Sequence, residues 1–484
     1  MILRYLIVAC FIFHPILSFA ESFTWIIGGG PVKENSQIQI ERNVKWASDI
    51  VKNKSDNSVL KVFYSDGNDP EPDVVNFLDR DGANNDKYIF DMVLGGTDVH
   101  PSEFVNHSIQ NHSGSTHPDN LVPALKQDFS MLKKNDTALI LYNGHGWGSS
   151  SGDYGDNTLR LWTEQAFTVY DFEKLLSNIN ESTPTRFILT QCYSGGFSRA
   201  IHPGAKDDTM ALKGNRCGFM AESATREAEG CSSSLKLDEY RDYTTFMFAA
   251  LDGKTRLGND LSYDPDINKD KKVSLWEAHL YSLANAYSTD LSRSTSEYYL
   301  EKWEPWYIRW LPVNKRSKNS IFYQIMEKAA QNNQLPLEIF TKSSNLRSER
   351  NNRLAQFNNL KKEMNQLNKK IRNSQNIIVK DLEKKYPEIK KHYKNKFKGY
   401  PSIAVSDIKS IIIDSSHLNL LKKYFTSKDK LDIVLLDAER ALTQIEKIAR
   451  LKKLSKIDSM FSIFSNANIH ANFNQLLACE KSFL

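Results

Sequence analysis

Short, mostly apolar runs constrain this chain most. They occur at 23–28, 60–64, 137–142 and 186–190, with further apolar stretches at 217–221 and 245–251. A strand that is apolar on both of its faces has little to offer to water, so it belongs in a sheet covered on both sides. Between the runs, apolar residues recur at helical spacing. They are Ile40, Val44, Ala47 and Val51, then Val122, Leu125, Phe129 and Leu132. A third set, Phe172, Leu175, Leu176 and Ile179, follows a capping box of Thr168 and Asp171. This alternation predicts an α/β fold with a mostly parallel sheet flanked by helices. The stretch 81–120, rich in Asp, Asn, Ser and His, shows little periodicity and reads as a long surface excursion of the functional kind.

The sheet-forming pattern ends near residue 315, and the chain has 484 residues, so an appendage is expected. A polar linker over 316–352 leads to a helical carboxyl-terminal domain over 353–484, a candidate regulatory or pro-domain. There Phe357, Leu360, Met364, Leu367 and Ile371 form an apolar seam on a lysine-rich helix that Pro387 ends. Ala438, Leu442, Ile445 and Ala449 mark another helix running to about Ile457. The lysines read as the solvated side of these helices. With 63 basic and 58 acidic residues, the net charge of +5 gives no case for nucleic acid. A composition 40% hydrophobic and 25% charged excludes collagen-like, disordered and polytopic membrane classes.

Residues 1–20 have the plan of a secretory signal peptide, with Arg4, an apolar run from Leu6 to Leu17, and Ala20 at the cleavage point. The run is broken by His14 and Pro15 and falls short of the about 20 residues a membrane span needs. The mature domain would then cover 21–315, secreted or periplasmic, with no stable membrane span.

Two apolar runs end in reactive chemistry. One leads into Asn143-Gly144-His145-Gly146, the other into Gln191-Cys192-Tyr193-Ser194-Gly195-Gly196. Both side chains would sit beyond the carboxyl ends of parallel strands, where open α/β sheets place their sites. A thiol with an ordinary pKa of about 8.5 needs a base or cationic neighbour to become an efficient nucleophile, and His145 can supply either. Flanking glycines let the amides of Gly146 and Cys192 approach a substrate carbonyl as an oxyanion hole, and Asn143 would stiffen the histidine loop. Taken singly, each residue has an ordinary reading, a loop histidine and a small core cysteine.

Together the two blocks resemble the caspase-like cysteine peptidases, the clan of legumains, caspases, metacaspases and gingipains, with the secreted legumain-like family C13 closest. The resemblance covers roughly residues 23–311, including the glycine turn Gly28-Gly29-Gly30, and omits the helical tail. It implies a catalytic dyad of Cys192 and His145, hydrolysis of peptide bonds through a thioester acyl-enzyme, and protein or peptide substrates. It also suggests that the tail covers the site in a zymogen, with processing near 341–352. Where legumains and metacaspases carry an acidic residue two before the nucleophile, this chain has Thr190, so the residue preferred before the cleaved bond stays open. Asp153 and Asp156 are candidate acidic pocket groups, or ordinary turn residues.

A second spacing points to a hard cation. Asp266, Asn268, Asp270, Ser274 and Glu277 fall at loop positions 1, 3, 5, 9 and 12 of an EF-hand, with the Lys272 carbonyl at 7. Lys271 stands where the sharp turn prefers glycine. A structural Ca²⁺ is expected; the other reading is a helix cap made by Ser274 and Glu277. No cofactor is needed for catalysis.

Of five cysteines, Cys10 leaves with the signal and Cys479 has no assignment. Cys217 and Cys231 are the expected disulfide in an exported protein. The aromatic group Tyr298, Tyr299, Trp303, Trp306, Tyr307 and Trp310 is expected to pack at the domain edge. A catalytically silent caspase-like scaffold that binds calcium and mediates protein–protein interaction is the alternative to an enzyme. A nucleotide-binding protein built on Gly28–Gly30 lacks the phosphate-loop lysine.

Overall fold

The apolar runs become the strands of one sheet in a computed structural model that describes residues 20–484, apart from 55–57, 79–85, 232–239, 311, 337–342, 396 and 398–401. The expected signal segment therefore lies almost wholly outside the described residues. In chain order the strands are β1 (Ser22–Gly29), β2 (Ser58–Tyr64), β3 (Val74–Phe77), β4 (Ser102–Val105), β5 (Thr137–Gly144), β6 (Gly146–Trp147), β7 (Thr158–Leu161), β8 (Gln165–Thr168), β9 (Thr185–Leu189), β10 (Arg216–Met220) and β11 (Arg293–Ser294). Six of them form the main sheet in the order β11-β10-β9-β5-β1-β2, parallel throughout except for β11. The others form a two-stranded ribbon, β3-β4, and a three-stranded one, β6-β7-β8.

The first seven helices are α1 (Ile38–Lys54), α2 (Asp86–Leu94), α3 (Pro118–Met131), α4 (Val169–Leu176), α5 (Tyr243–Asp252), α6 (Leu275–Asn285) and α7 (Thr295–Trp303). Alternate residues of each strand enter opposite cores. Ile26, Val62, Leu139, Leu141, Ile188 and Phe219 face α1, α5 and α6. Trp25, Ile27, Phe63, Ile140, Phe187 and Leu189 face α3 and α4. The 245–251 run is helix α5 and not a strand. A short apolar run cannot be assigned by periodicity alone, and this one is wedged between α1 and α6, which bury it all round.

The carboxyl-terminal region is all-helical: α8 (Lys315–Asn319), α9 (Ile321–Asn332), α10 (Ser343–Lys385), α11 (Ile389–Lys394), α12 (Ser402–Asp414), α13 (Ser416–Phe464) and α14 (Ala467–Glu480). The expected linker over 316–352 is thus largely helix. Phe322, Ile325, Met326 and Ala329 of α9 are buried in the main core, which gives a seemingly polar stretch its reason to fold. The region docks twice. Ile448, Leu451 and Leu454 of α13 with Phe473 and Leu476 of α14 extend the core of that face, α13 lying on α7 and α9 and α14 on α7 and β10. Ile371, Ile378 and Leu382 of α10 with Ile408 and Ile412 of α12 pack on Tyr88, Ile89 and Met92 of α2. Within the described part of the 81–120 excursion, α2 folds against partners hundreds of residues away.

Cys217 is bonded to Cys479, not to Cys231, with Cα atoms 5.9 Å apart. Cys217 lies three residues before the end of β10, about 10 Å below the sheet edge from which the 221–231 loop departs, on the face that α14 covers. The Cys231 side chain lies outside the described ones. Trp303 stacks edge-on against Phe461 at 5.0 Å, whereas Trp306 and Trp310 stay exposed, so only part of the aromatic group packs at the edge.

Candidate active site

Strands β5 and β9 are adjacent and parallel, and the last paired residues are Tyr142 and Leu189. His145 and Cys192 each lie three residues beyond that pair, at equal depth past the carboxyl edge. The turns touch: a side chain on Gly146 would come within 2.4 Å of the Cys192 carbonyl oxygen, so only glycine lets them approach. The structure thus brings His145, Gly146, Asn143 and Cys192 to one edge.

Asn143 is buried between the two strands. Its Nδ2 donates to Thr190 Oγ1 at 2.6 Å and its Oδ1 accepts from Asn43 of α1 at 3.2 Å. Thr190 in turn donates to the Tyr142 carbonyl at 3.0 Å. The residue two before the cysteine therefore holds the strands together instead of facing a ligand. His145 is half-buried, with Nε2 2.9 Å from both the Asn35 carbonyl and Gln37 Oε1. Both are acceptors, so Nε2 carries the hydrogen and the lone pair of the neutral ring is on Nδ1. Burial holds the imidazole below its ordinary pKa of 6.5, partly offset by the Asn35 bond.

Cys192 is 5% exposed and the Ala228 amide donates to its sulfur at 3.3 Å. Tyr193, directly after it, is left-handed at φ 59°, a sparsely populated conformation for a residue with a side chain. Its amide donates to the Arg226 carbonyl at 2.8 Å and its carbonyl accepts from Asn157 at 2.9 Å. The loop 222–230 thus lies against the thiol.

That loop is held by the carboxyl-terminal helices. Arg226 donates to Glu446 Oε2 at 2.9 Å and to Thr443 Oγ1 at 3.1 Å. Arg440 forks onto the Glu229 carboxylate, which also accepts from the Thr289 amide at 2.7 Å. Glu222, Glu229 and Asp290 are all buried here. Burial, before any other cause, pushes each carboxyl up, and Asp290 is pushed further by the other two. Lys447 is pushed down to about 8 by burial, and donates to the Ala286 carbonyl at 2.6 Å. Nothing in the local sequence marks Arg226 and Glu229, because their partners Thr443, Glu446 and Arg440 come from α13. The candidate pocket acids are otherwise engaged: Asp153 accepts from the Gly155 amide, Tyr170 and Arg199, and Asp156 from Ser151.

The 266–277 loop is built on backbone-to-carboxylate bonds. Asp266 accepts from the amides of Asp270 and Lys271, Asn268 from Asp270, and Asp270 from Lys272. Lys271 takes the left-handed turn at φ 69° that the spacing wanted from glycine. Glu277 accepts from the amides of Ile267, Asn268 and Ser274, and with Ser274 completes the capping box of α6. The helix-cap reading of the loop is thus present in full, and the Asp266, Asn268 and Asp270 oxygens accept from backbone amides of the same turn.

The chain matches no protein-family model and no curated protein. Among the described residues, no helix is long and apolar enough to cross a membrane.

Proposed function

We propose that the chain is a cysteine endopeptidase of the caspase-like, legumain-like type. The observation that carries this reading is the placement of His145 and Cys192 at equal depth on two adjacent parallel strands, with Gly146 against the Cys192 carbonyl. In the proposed reaction His145 takes the Cys192 thiol proton and the resulting thiolate attacks a peptide carbonyl. The amides of Gly146 and Cys192 receive the oxyanion, and His145 protonates the leaving amine. His145 then deprotonates the water that hydrolyses the thioester. Asn35 and Gln37 orient the ring, and Asn143 keeps its strand in register with that of the nucleophile.

Access requires the 222–230 loop to move, since Ala228 occupies the thiol in the closed arrangement. That contact also favours a second reading, a silent scaffold whose cysteine never opens. The full chain, in calcium buffer, would be tested against a peptide library beside Cys192→Ala. Cleavage by the wild type and none by the variant supports a peptidase. Equal cleavage by both, or none by a wild type whose thiol also resists an electrophilic peptide, sinks it. The 266–277 loop would hold a structural Ca²⁺ through Asp266, Asn268, Asp270, Glu277 and the Lys272 carbonyl. Export through the 1–20 segment and a regulatory role for the helical region complete the proposal.

A further inference from the structure

The excursion with the histidines carries a feature that the peptidase reading leaves unused. Beyond the carboxyl end of the edge strand β2, Asp66 meets Asp73, which precedes β3, and His107, which follows β4. One ligand-type atom from each lies within 4.8 Å of the others. The cluster is more than a group of acids. Asp73 is 1% exposed, its Oδ1 accepts from the His107 amide at 2.8 Å, and its Oδ2 is buried with no hydrogen-bond partner. Asp66 Oδ1 is also buried without a partner. So is Nδ1 of His112, whose ring meets that of His107 edge-on at 4.9 Å. Among the described residues no lysine or arginine pairs with either aspartate.

A buried carboxylate oxygen left unmatched costs far more than a buried apolar atom, and two aspartates sharing one site repel. A bound cation relieves both. Imidazole beside carboxylate suits a borderline divalent ion such as zinc or manganese better than calcium, which prefers oxygen alone. His107 Nε2 lies 3.0 Å from the Gly67 carbonyl, the outer hydrogen bond by which metal-binding histidines are oriented, and its Nδ1, which accepts from the Ile109 amide at 3.3 Å, would exchange that long bond for the ion. Tetrahedral zinc at about 2.1 Å from its ligands would draw them to about 3.4 Å apart, a closure within reach of small side-chain rotations.

We propose that Asp66, Asp73 and His107, with His112 at the rim, form a binding site for a divalent transition-metal ion of the zinc class. The site stands on its own residues and does not depend on peptidase activity. It sits one step from the candidate active site: Asp73 leads into β3, where Val75 donates to the Ser36 carbonyl, and the neighbouring Asn35 carbonyl holds His145. A bound ion would therefore also brace the segment that orients the imidazole.

The test uses chelator-treated full-length protein titrated with Zn²⁺ in saturating Ca²⁺, followed by calorimetry and thermal unfolding. One Zn²⁺ per chain and a raised Tm are expected. Asp73→Asn and His107→Gln should each weaken binding about 10–100-fold, whereas the exposed Glu181→Gln should leave it unchanged. Should Asp73→Asn fail to fold, the half-buried Asp66→Asn serves in its place. No uptake of Zn²⁺ or Mn²⁺ by the wild type, or uptake that neither aspartate variant weakens, would overturn the proposal.

Discussion

The two walls that meet at Cys192 are built by opposite means. The His145 wall comes from the neighbouring strand, through the β5–β9 register and the buried Asn143–Thr190 link. The 222–230 wall is held from afar: Arg440 reaches Glu229 across 211 residues of sequence and Glu446 reaches Arg226 across 220. The contrast separates chemistry from access. Backbone hydrogen bonding between strands sets the proposed reacting pair, whereas ion pairs between a loop and a helix, which break without disturbing the sheet, set what covers it.

The largest expected effect lies on the first wall. His145→Ala should lower peptide hydrolysis by about 10²–10⁴-fold while leaving the fold intact. In the wild type the acid limb of the rate profile should fall below pH 6.5, because burial lowers the imidazole pKa and the neutral base persists further into acid. A limb centred above that value would mean that His145 is not the base. On the second wall, Arg440→Ala leaves the Glu229 carboxylate buried and unpaired, at a cost of about 3–5 kcal/mol in denaturant unfolding. Alkylation of Cys192 should quicken in the same variant; an unchanged alkylation rate would show that α13 does not hold the loop. Smallest is the effect of Cys217→Ser with Cys479→Ser. Losing the link that ties α14 to β10 should cost about 2–4 kcal/mol, with the His145 wall and the acid limb unaltered. A change in that limb would mean that the walls are not independent.

The first wall was legible because it is local. Strand residues 137–142 and 186–190 each run straight into a glycine turn with a reactive side chain, and parallel pairing forces the two turns to the same edge. The helical linker, the docking of α2 and the disulfide partner escape the sequence for one shared reason. Residues 316–352 look polar, and 86–94 look unaccompanied, until α9 meets the main core and α2 meets α10 and α12. Cys217 has a nearer cysteine in sequence, but its strand aims it at α14. The proposed metal site draws on 66, 73 and 107, a spacing with no motif, and of the three only His107 lies in the Asp- and His-rich stretch 81–120.

The amino-acid sequence alone determined the sheet, the helices on its two faces and the carboxyl-edge position of His145 and Cys192. These depend on periodicity and on glycine, which act over a few residues. Tertiary structure alone decided the partner of Cys217, the cover over the thiol, the order in the linker and the meeting of Asp66, Asp73 and His107. Each of these is a contact between segments far apart along the chain, set by which buried surfaces and charges find a match once the sheet exists.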